Sequence, residues 1–207
     1  MNTCRLKASN ISKHYTRTWL FKNISFEVKQ GEILAITGWN GSGKSTLLRI
    51  IAGLTLPNSG NINLFINEKL QPNEKRRLNL GLLSSALSLY DDLTALENLN
   101  FFLKVRGING NKYNLQSLIT RVGLKGWENE LYSIFSSGMK QRLKLAQAII
   151  HNPLILLLDE PFSNLDTRGI DIFDNVIHEQ KSKGIVILAS NEKREIEYAD
   201  TIINLSE

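Results

Sequence analysis

The sequence lacks several features that would by themselves decide its class. It has one cysteine, Cys4, four prolines and three histidines in 207 residues, and aromatic residues make up 8%. A single cysteine excludes an internal disulfide and favours a reducing compartment. No apolar run approaches the roughly 18 residues that cross a bilayer, and the first residues do not resemble a signal peptide. We therefore expect a soluble chain that reaches a membrane only through a partner.

The charge balance is mildly basic, with 25 basic and 20 acidic residues and a net charge of +5. The basic residues are scattered, which is typical of a solvated surface, although a positive face towards a membrane or nucleic acid stays open. The length fits one domain, or one domain with a lobe. We see no internal repeat and no low-complexity segment.

The strongest motif is GWNGSGKST at residues 38–46, which follows a short apolar strand and opens a helix. It matches G-x-x-x-x-G-K-[ST], the loop whose backbone N–H groups and helix N-terminus bind phosphates. Lys44 is expected to reach the β- and γ-phosphates, and Ser45 to bind Mg²⁺. The residues assigned to the nucleotide are Gly38, Trp39, Asn40, Gly41, Ser42, Gly43, Lys44, Ser45 and Thr46.

A second signal is the apolar run 154–158, which ends in Asp159 and Glu160. A run of this kind is typical of a strand buried in a parallel sheet, whose carboxyl end faces the ligand crevice. We expect Asp159 to support the Mg²⁺ and Glu160 to activate the water that attacks the γ-phosphate. The alternative is a strand end with solvated carboxylates.

Periodicity predicts an α/β fold with a P-loop core, a mostly parallel sheet, a flanking antiparallel β subdomain and an inserted helical lobe. Residues 71–77 are interpreted as an exposed connection, and residues 78–84 as a buried strand. We predict a single domain over 1–207. Its core and β subdomain cover about 1–84 and 153–207, and the lobe covers about 85–152.

Four motifs, GWNGSGKST, FSSGMKQR (135–142), ILLLDEP (155–161) and SNLD (163–166), resemble those of ATP-binding cassette (ABC) ATPases in order and spacing. The resemblance implies a Mg²⁺-dependent ATPase in which Ser136, Ser137 and Gly138 of one copy contact the ATP of a second copy. It also implies that Asp166 couples the two sites of a homodimer formed on ATP binding. Ser136 can cap the following helix. The alternative is that this serine is an ordinary helix cap with no contact to nucleotide.

The chain departs from the family pattern at three positions. Ser85, at the end of Ser84-Ser85, stands where the family has a glutamine near Mg²⁺, so we assign Ser85 to the metal through an intervening water. Asn191 stands where the family has a histidine. Met139 replaces a further glutamine. Asn191 can donate to the γ-phosphate but cannot carry a proton or charge. We expect hydrolysis to survive but to be slow in the isolated subunit.

An aromatic residue is expected to stack on the adenine. Tyr15 occupies the position where the family places it, although a structural tyrosine in a strand is the alternative. Trp19 is the other candidate.

The resemblance implies that this chain lies peripherally at the cytoplasmic face of the inner (cell) membrane, bound to a separate integral-membrane permease. No nucleic acid is expected as a partner. Its docking region would include Leu87, Leu89, Tyr90, Leu93 and Phe101, unless these residues are plain lobe core. The compact length and residues 93–98 resemble the haem-exporter ATPases of cytochrome c maturation. A soluble ABC ATPase and a nucleotide-binding subunit with attenuated hydrolysis are the alternatives.

Overall fold

The computed structural model describes residues 3–16, 18–110 and 113–206, which form two sheets and seven α-helices in those ranges. The strands are β1 (Cys4–Tyr15), β2 (Thr18–Lys29), β3 (Ile33–Thr37), β4 (Ser59–Ile66), β5 (Lys69–Leu70), β6 (Leu80–Leu83), β7 (Ile155–Asp159), β8 (Ile185–Ala189) and β9 (Thr201–Asn204). The helices are α1 (Lys44–Ile51), α2 (Asn73–Leu78), α3 (Ala95–Val105), α4 (Leu115–Arg121), α5 (Ser137–Ile149), α6 (Thr167–Lys183) and α7 (Lys193–Ile196).

Five strands form the parallel sheet, in the order β6-β7-β8-β3-β9. Every residue of β7 and β8 is buried, as expected for strands covered on both faces. One apolar cluster on the sheet includes residues of α3 to α6, and the other includes α1 and strands β1, β2 and β4. The predicted α/β core with a parallel sheet of buried strands is confirmed.

The predicted antiparallel sheet is also confirmed, with four strands in the order β2-β1-β4-β5. Helices α3, α4 and α5 lie between β6 and β7 in the sequence, where we expected a helical lobe. The helix that follows Ser136 begins at Ser137 and ends at Ile149, close to the range 138–150 that we expected from the sequence. Among the described residues, no helix is long and apolar enough to span a membrane.

Residues 71–77 are mostly exposed, as predicted, but residues 73–78 form the helix α2, and β6 is shorter than the predicted strand 78–84. Arg76 on α2 is 7% exposed and donates from Nη1 to the Ile62 carbonyl oxygen at 2.6 Å. Burial lowers its pKa, and the neighbouring Arg77 lowers it further. Arg76 is the buried side chain of this segment, and hydrophobic periodicity did not reveal it because an arginine paired with a backbone carbonyl does not register as apolar.

Candidate nucleotide-binding site

The loop at residues 38–46 lies between the end of β3 and the start of α1, at the carboxyl edge of the parallel sheet. At the last turn before α1, Gly43 has φ 102°, a left-handed conformation that glycine adopts without strain. A Cβ atom at this position would lie 3.0 Å from two carbons of the Phe21 ring. The backbone is therefore held against β2 in a shape that other residues would adopt only with strain.

Lys44 is the first residue of α1 and is only 6% exposed. Its Nζ atom donates to the Gly38 carbonyl oxygen at 2.7 Å and to that of Trp39 at 3.3 Å. The ammonium group therefore lies inside the concave side of its own loop. Together with the N-terminus of α1, it gives the loop a positive interior suited to an anion.

Asp159 at the end of β7 is 3% exposed, and hydroxyl groups hydrogen-bond both of its carboxylate oxygens. Ser45 donates to Oδ1 at 2.9 Å, and Ser84 donates to Oδ2 at 3.2 Å. We predicted Ser85 at the metal, but Ser85 is exposed and the side chain beside Asp159 is that of Ser84. The difference arises because the chain turns directly after β6, so that only the first serine follows the strand into the sheet edge.

Glu160 follows β7 in a left-handed conformation, with φ 48°, and its side chain is exposed. Two neighbouring elements hold its backbone. Its N–H group donates to the Ala189 carbonyl oxygen at 2.9 Å, and Gln141 on α5 donates from Nε2 to the carbonyl oxygens of Glu160 and Pro161 at 3.3 and 3.1 Å. A non-glycine residue in this conformation persists only when its surroundings fix it. Sequence reasoning missed Gln141, although it lies inside the quoted FSSGMKQR motif.

Asn191 lies just after β8, and its side chain contacts the phosphate loop directly. Its Oδ1 atom accepts from the Gly38 N–H group at 3.2 Å, and its Nδ2 atom donates to Asn40 Oδ1 at 3.5 Å. The structure therefore brings this predicted residue to the same edge as Lys44. The contacts are those of a neutral amide, which uses both a donor and an acceptor.

Glu195 on α7 is a buried carboxyl that sequence reasoning did not find. It is 2% exposed and accepts from the Phe162 N–H group at 3.2 Å. Burial raises its pKa above the ordinary value, and the negative charges of Glu192 and Glu160 raise it further. Its contact ties α7 to the loop after Glu160. In the sequence it is one of several charged residues near the C-terminus, with no signal of burial.

Two clefts meet at Asn40 and Glu160, which line both. One, of about 410 Å³, is lined by Tyr15, Leu20 and residues of the phosphate loop, including Lys44 and Ser45. The other, of about 430 Å³, continues along Asn191 and α7. Tyr15 is exposed at the end of β1, whereas Trp19 packs against His14 with ring centroids 4.8 Å apart and does not line either cleft. The geometry favours Tyr15 over Trp19 as the stacking residue.

The N-terminal end of α5 is exposed and lies outside both clefts. Ser136 caps the helix, accepting the Met139 N–H group at 3.3 Å, and Ser137 is exposed beside it. A Cβ atom on Gly138 would lie 2.9 Å from the Asn164 carbonyl oxygen, so this close approach requires glycine.

Two further predicted positions have structural contacts of their own. Met139 is half-buried against the apolar core, which accounts for an apolar side chain where the family has glutamine. Asp166 is exposed and caps α6, since its Oδ1 atom accepts from the Gly169 N–H group at 2.7 Å. Within one chain, Ser136, Ser137, Gly138 and Asp166 are thus not brought to the phosphate loop.

The parallel sheet, the lysine-bearing loop and the two acidic residues at the end of β7 define a P-loop ATPase. Comparison with known proteins refines this class. The family model described as ABC transporter matches residues 21–163, and the chain belongs to the family of ABC transporter ATPases. It is therefore an ATP-binding and ATP-hydrolysing subunit.

Relatives and solved structures agree with this assignment. An uncharacterised ABC transporter ATP-binding protein of Bacillus subtilis is 35% identical over 92% of this chain and 86% of its own length. The ergothioneine transport ATP-binding protein of Helicobacter pylori is 36% identical, covering 90% and 89%. A dimeric ATP-binding cassette in a post-hydrolysis state with ADP and phosphate superposes with a TM-score of 0.84 at 25% identity, covering 97% of this chain and 94% of that one.

Proposed function

We propose that this chain is the Mg²⁺-dependent ATPase subunit of a transporter, acting as a homodimer on a separate membrane permease. The observation that carries the proposal is the meeting of Lys44, the Ser45–Asp159 pair and Glu160 at one sheet edge. Phosphoryl transfer requires positioning and charge neutralisation more than covalent chemistry. These groups are of the kind that provide both.

The donor set fits a Mg²⁺ ion bound together with nucleotide phosphates. Ser45 and Asp159 offer a hydroxyl and a carboxylate oxygen, and they are the residues that would hold the ion. The described part of the chain contains no cluster of three or more His, Cys, Asp or Glu residues able to hold a metal. Mg²⁺ typically uses one or two protein ligands with substrate phosphates, and when bound it neutralises phosphate charge.

The chain's own residues then divide the work. Lys44 leaves its loop carbonyls to contact the β- and γ-phosphates, and Tyr15 stacks on the adenine. Glu160 holds and deprotonates the attacking water. Asn191 donates from its amide to the γ-phosphate in place of the family's histidine.

Ser136, Ser137 and Gly138 are proposed to complete the site of a second copy, with Asp166 near the junction. They are exposed or half-exposed, and they lie outside the clefts of their own chain. A helix N-terminus favours the charge of a γ-phosphate. The dimeric state of the related cassette supports this arrangement, in which closure also excludes water.

A groove of about 370 Å³ between α1, β6 and α3 supports docking of a permease segment. Its lining is mainly apolar and includes Leu54, Leu87 and Phe102, with Arg77 and Arg106. Nearby, Tyr90 and Phe101 are exposed and pack edge to face at 5.0 Å. Leu89, in contrast, is buried lobe core. This surface and the transport names of the relatives favour a peripheral position at the cytoplasmic face of the membrane, without nucleic acid.

The direction and the cargo are the finest part of the proposal. Related ATP-binding proteins are named for ergothioneine, for bacitracin in Bacillus licheniformis and for other cargoes. The resemblance of segment 93–98 to haem-exporter ATPases favours export, with haem as the first cargo to test. Because the ATPase does not contact cargo, the neighbouring permease gene is the informative observation.

The test of the proposed function measures Mg²⁺-dependent ATP hydrolysis and size by light scattering. Glu160→Gln is expected to lower the hydrolysis rate about 10²–10³-fold and to dimerise on addition of ATP. Glu192→Gln, a control at an exposed carboxylate of the same edge, is expected to change hydrolysis less than about twofold. A Glu160→Gln chain that stays monomeric with and without ATP would contradict the dimer.

A further inference from the structure

We propose that Ser84, and not Ser85, is a positioning residue for the metal carboxylate. Its hydroxyl group fixes the orientation of Asp159, and so tightens binding of the divalent cation that accompanies the nucleotide. The inference rests on the proposed function and adds a residue to that site. The family pattern gives no role to this position, because the expected glutamine aligns with Ser85.

The position of Ser84 follows from the register of the parallel sheet. Leu83, the last residue of β6, pairs with Leu158 of β7, so the next residue along each segment of the chain lies beside the other. These are Ser84 and Asp159, both 3% exposed. The 3.2 Å contact between Ser84 Oγ and Asp159 Oδ2 therefore follows from the pairing of β6 with β7, at the first residue after β6.

The direction of this hydrogen bond is also fixed. The Ala86 N–H group donates to Ser84 Oγ at 3.3 Å, and the Leu87 N–H group donates to the Ser84 carbonyl oxygen at 3.2 Å, which closes a turn. A backbone N–H group cannot reverse its role, so one lone pair of the hydroxyl is occupied. The hydroxyl proton is left to donate to Asp159.

Asp159 has two oxygens with different partners, and this difference gives Ser84 its role. Ser45 contacts Oδ1 and is itself a residue that would hold the metal. Ser84 contacts Oδ2, and none of the lysines or arginines in ranges 3–16, 18–110 and 113–206 forms a salt bridge with Asp159. Ser84 is thus the contact on Asp159 that remains when Ser45 turns to the cation.

Residues that orient a metal ligand typically change metal affinity 10–100-fold when they are removed. Ser84→Ala deletes the donor to Oδ2 with little change in volume. Ser84→Thr keeps a hydroxyl at the same place. Ser85→Ala is the matched control, since Ser85 is exposed one residue further along the same turn.

The experiment titrates Mn²⁺, as a spectroscopic substitute for Mg²⁺, into the full chain with ADP, and measures free Mn²⁺ by electron paramagnetic resonance. We expect Ser84→Ala to raise the Mn²⁺ dissociation constant about 10-fold. We expect Ser84→Thr to restore it to within about threefold, and Ser85→Ala to change it less than about twofold. Affinity for ADP without any divalent ion is measured in parallel and is expected to be the same in all four chains.

Three outcomes would overturn the inference. Equal effects of Ser84→Ala and Ser85→Ala, or an unchanged Mn²⁺ affinity in Ser84→Ala, would remove the special role of Ser84. Parallel losses of Mn²⁺ affinity and metal-free ADP affinity would show a general structural defect. A wild-type chain that binds no nucleotide would overturn the proposed function itself, which distinguishes the two failures.

Discussion

The phosphate loop and the N-terminal end of α5 carry the two strongest groups of motif residues, yet their side chains are arranged in opposite ways. Lys44 and Ser45 are already hydrogen-bonded inside the chain, to the loop carbonyls and to Asp159. Ser136 only caps its own helix, and both it and Ser137 are exposed. We call the phosphate loop with Asp159 and Glu160 the first half of the proposed ATP site, and the N-terminal end of α5 the second half. The first half is preorganised within one copy, whereas the second half presents its donors to solvent.

This difference has a physical consequence for the reaction. Groups fixed before the substrate arrives stabilise a transition state without further reorganisation. Exposed donors at a helix end cannot do so until another molecule excludes water from them. We therefore expect a substitution in either half to stop hydrolysis. When two inactive chains are mixed, we expect activity to return only if one chain is defective in the first half and the other in the second half, because only then does a mixed dimer contain one intact site.

The largest effect is expected from mixing two inactive chains. Lys44→Ala removes the phosphate contact of the first half, and Ser136→Arg blocks the second at an exposed position, so each alone is expected to lower the ATPase rate at least about 10²-fold. A random mixture is expected to recover about a quarter of the wild-type rate, because half of the dimers are mixed and each has one intact site of two. The rate is measured across mixing ratios.

The matched control mixes Lys44→Ala with Glu160→Gln. Both residues belong to the first half, so no mixed dimer contains an intact site, and no recovery is expected. Recovery in this control, or its absence in the first mixture, would contradict a site shared between copies.

A smaller effect is expected from Asn191, where the first half departs from the family. Asn191 contacts Gly38 and Asn40 as a neutral amide. Asn191→His supplies a side chain that can carry charge towards the γ-phosphate, so we expect kcat to rise about 10-fold. Asn191→Ala, which removes the donor, is expected to lower it. If kcat falls in both variants, asparagine does not weaken catalysis relative to histidine. Its hydrogen bonds to the phosphate loop are then needed for activity.

The smallest effect concerns the junction between the lobe and the core. His151 Nε2 lies 3.0 Å from the Leu80 carbonyl oxygen and 3.0 Å from Arg106 Nη2. Burial, and next the charge of Arg106, lower the pKa of His151 to about 4. Between the unfolded-state pKa of about 6.5 and the folded-state pKa of about 4, the unfolded chain binds a proton at His151 that the folded chain does not. The free energy of unfolding is therefore expected to fall as the pH decreases.

The measurement is urea unfolding of wild type and His151→Gln at about pH 7 and about pH 5. We expect the wild type to lose about 1 kcal/mol more than the variant between these pH values. His178→Gln serves as the control histidine variant. Equal losses in the wild type and His151→Gln would show that His151 is not the group responsible.

Sequence reasoning was sufficient for residues placed by local rules and much less so for residues placed by tertiary contacts. The phosphate loop and Asp159 could be predicted because their geometry follows from local rules, namely a buried strand, glycines and a helix start. Ser84, Gln141 and Glu195 could not, because each acts across the sheet or between helices, and sheet register is not written in local periodicity. Ser136 and Asp166 were assigned through the family resemblance, because within one chain they only cap α5 and α6 and their proposed contacts lie in a second copy.

The two hydrogen bonds from Gln141 to the carbonyl oxygens of Glu160 and Pro161 have a consequence for futile ATP hydrolysis. Gln141 belongs to the helix whose exposed end is expected to meet the neighbouring ATP, so a tilt of that helix would shift the backbone that carries the proposed base. In a monomeric subunit the carboxylate of Glu160 would be poorly aligned, and little ATP would be hydrolysed. ATP turnover would then depend on formation of the dimer and would stay low in subunits that are not assembled.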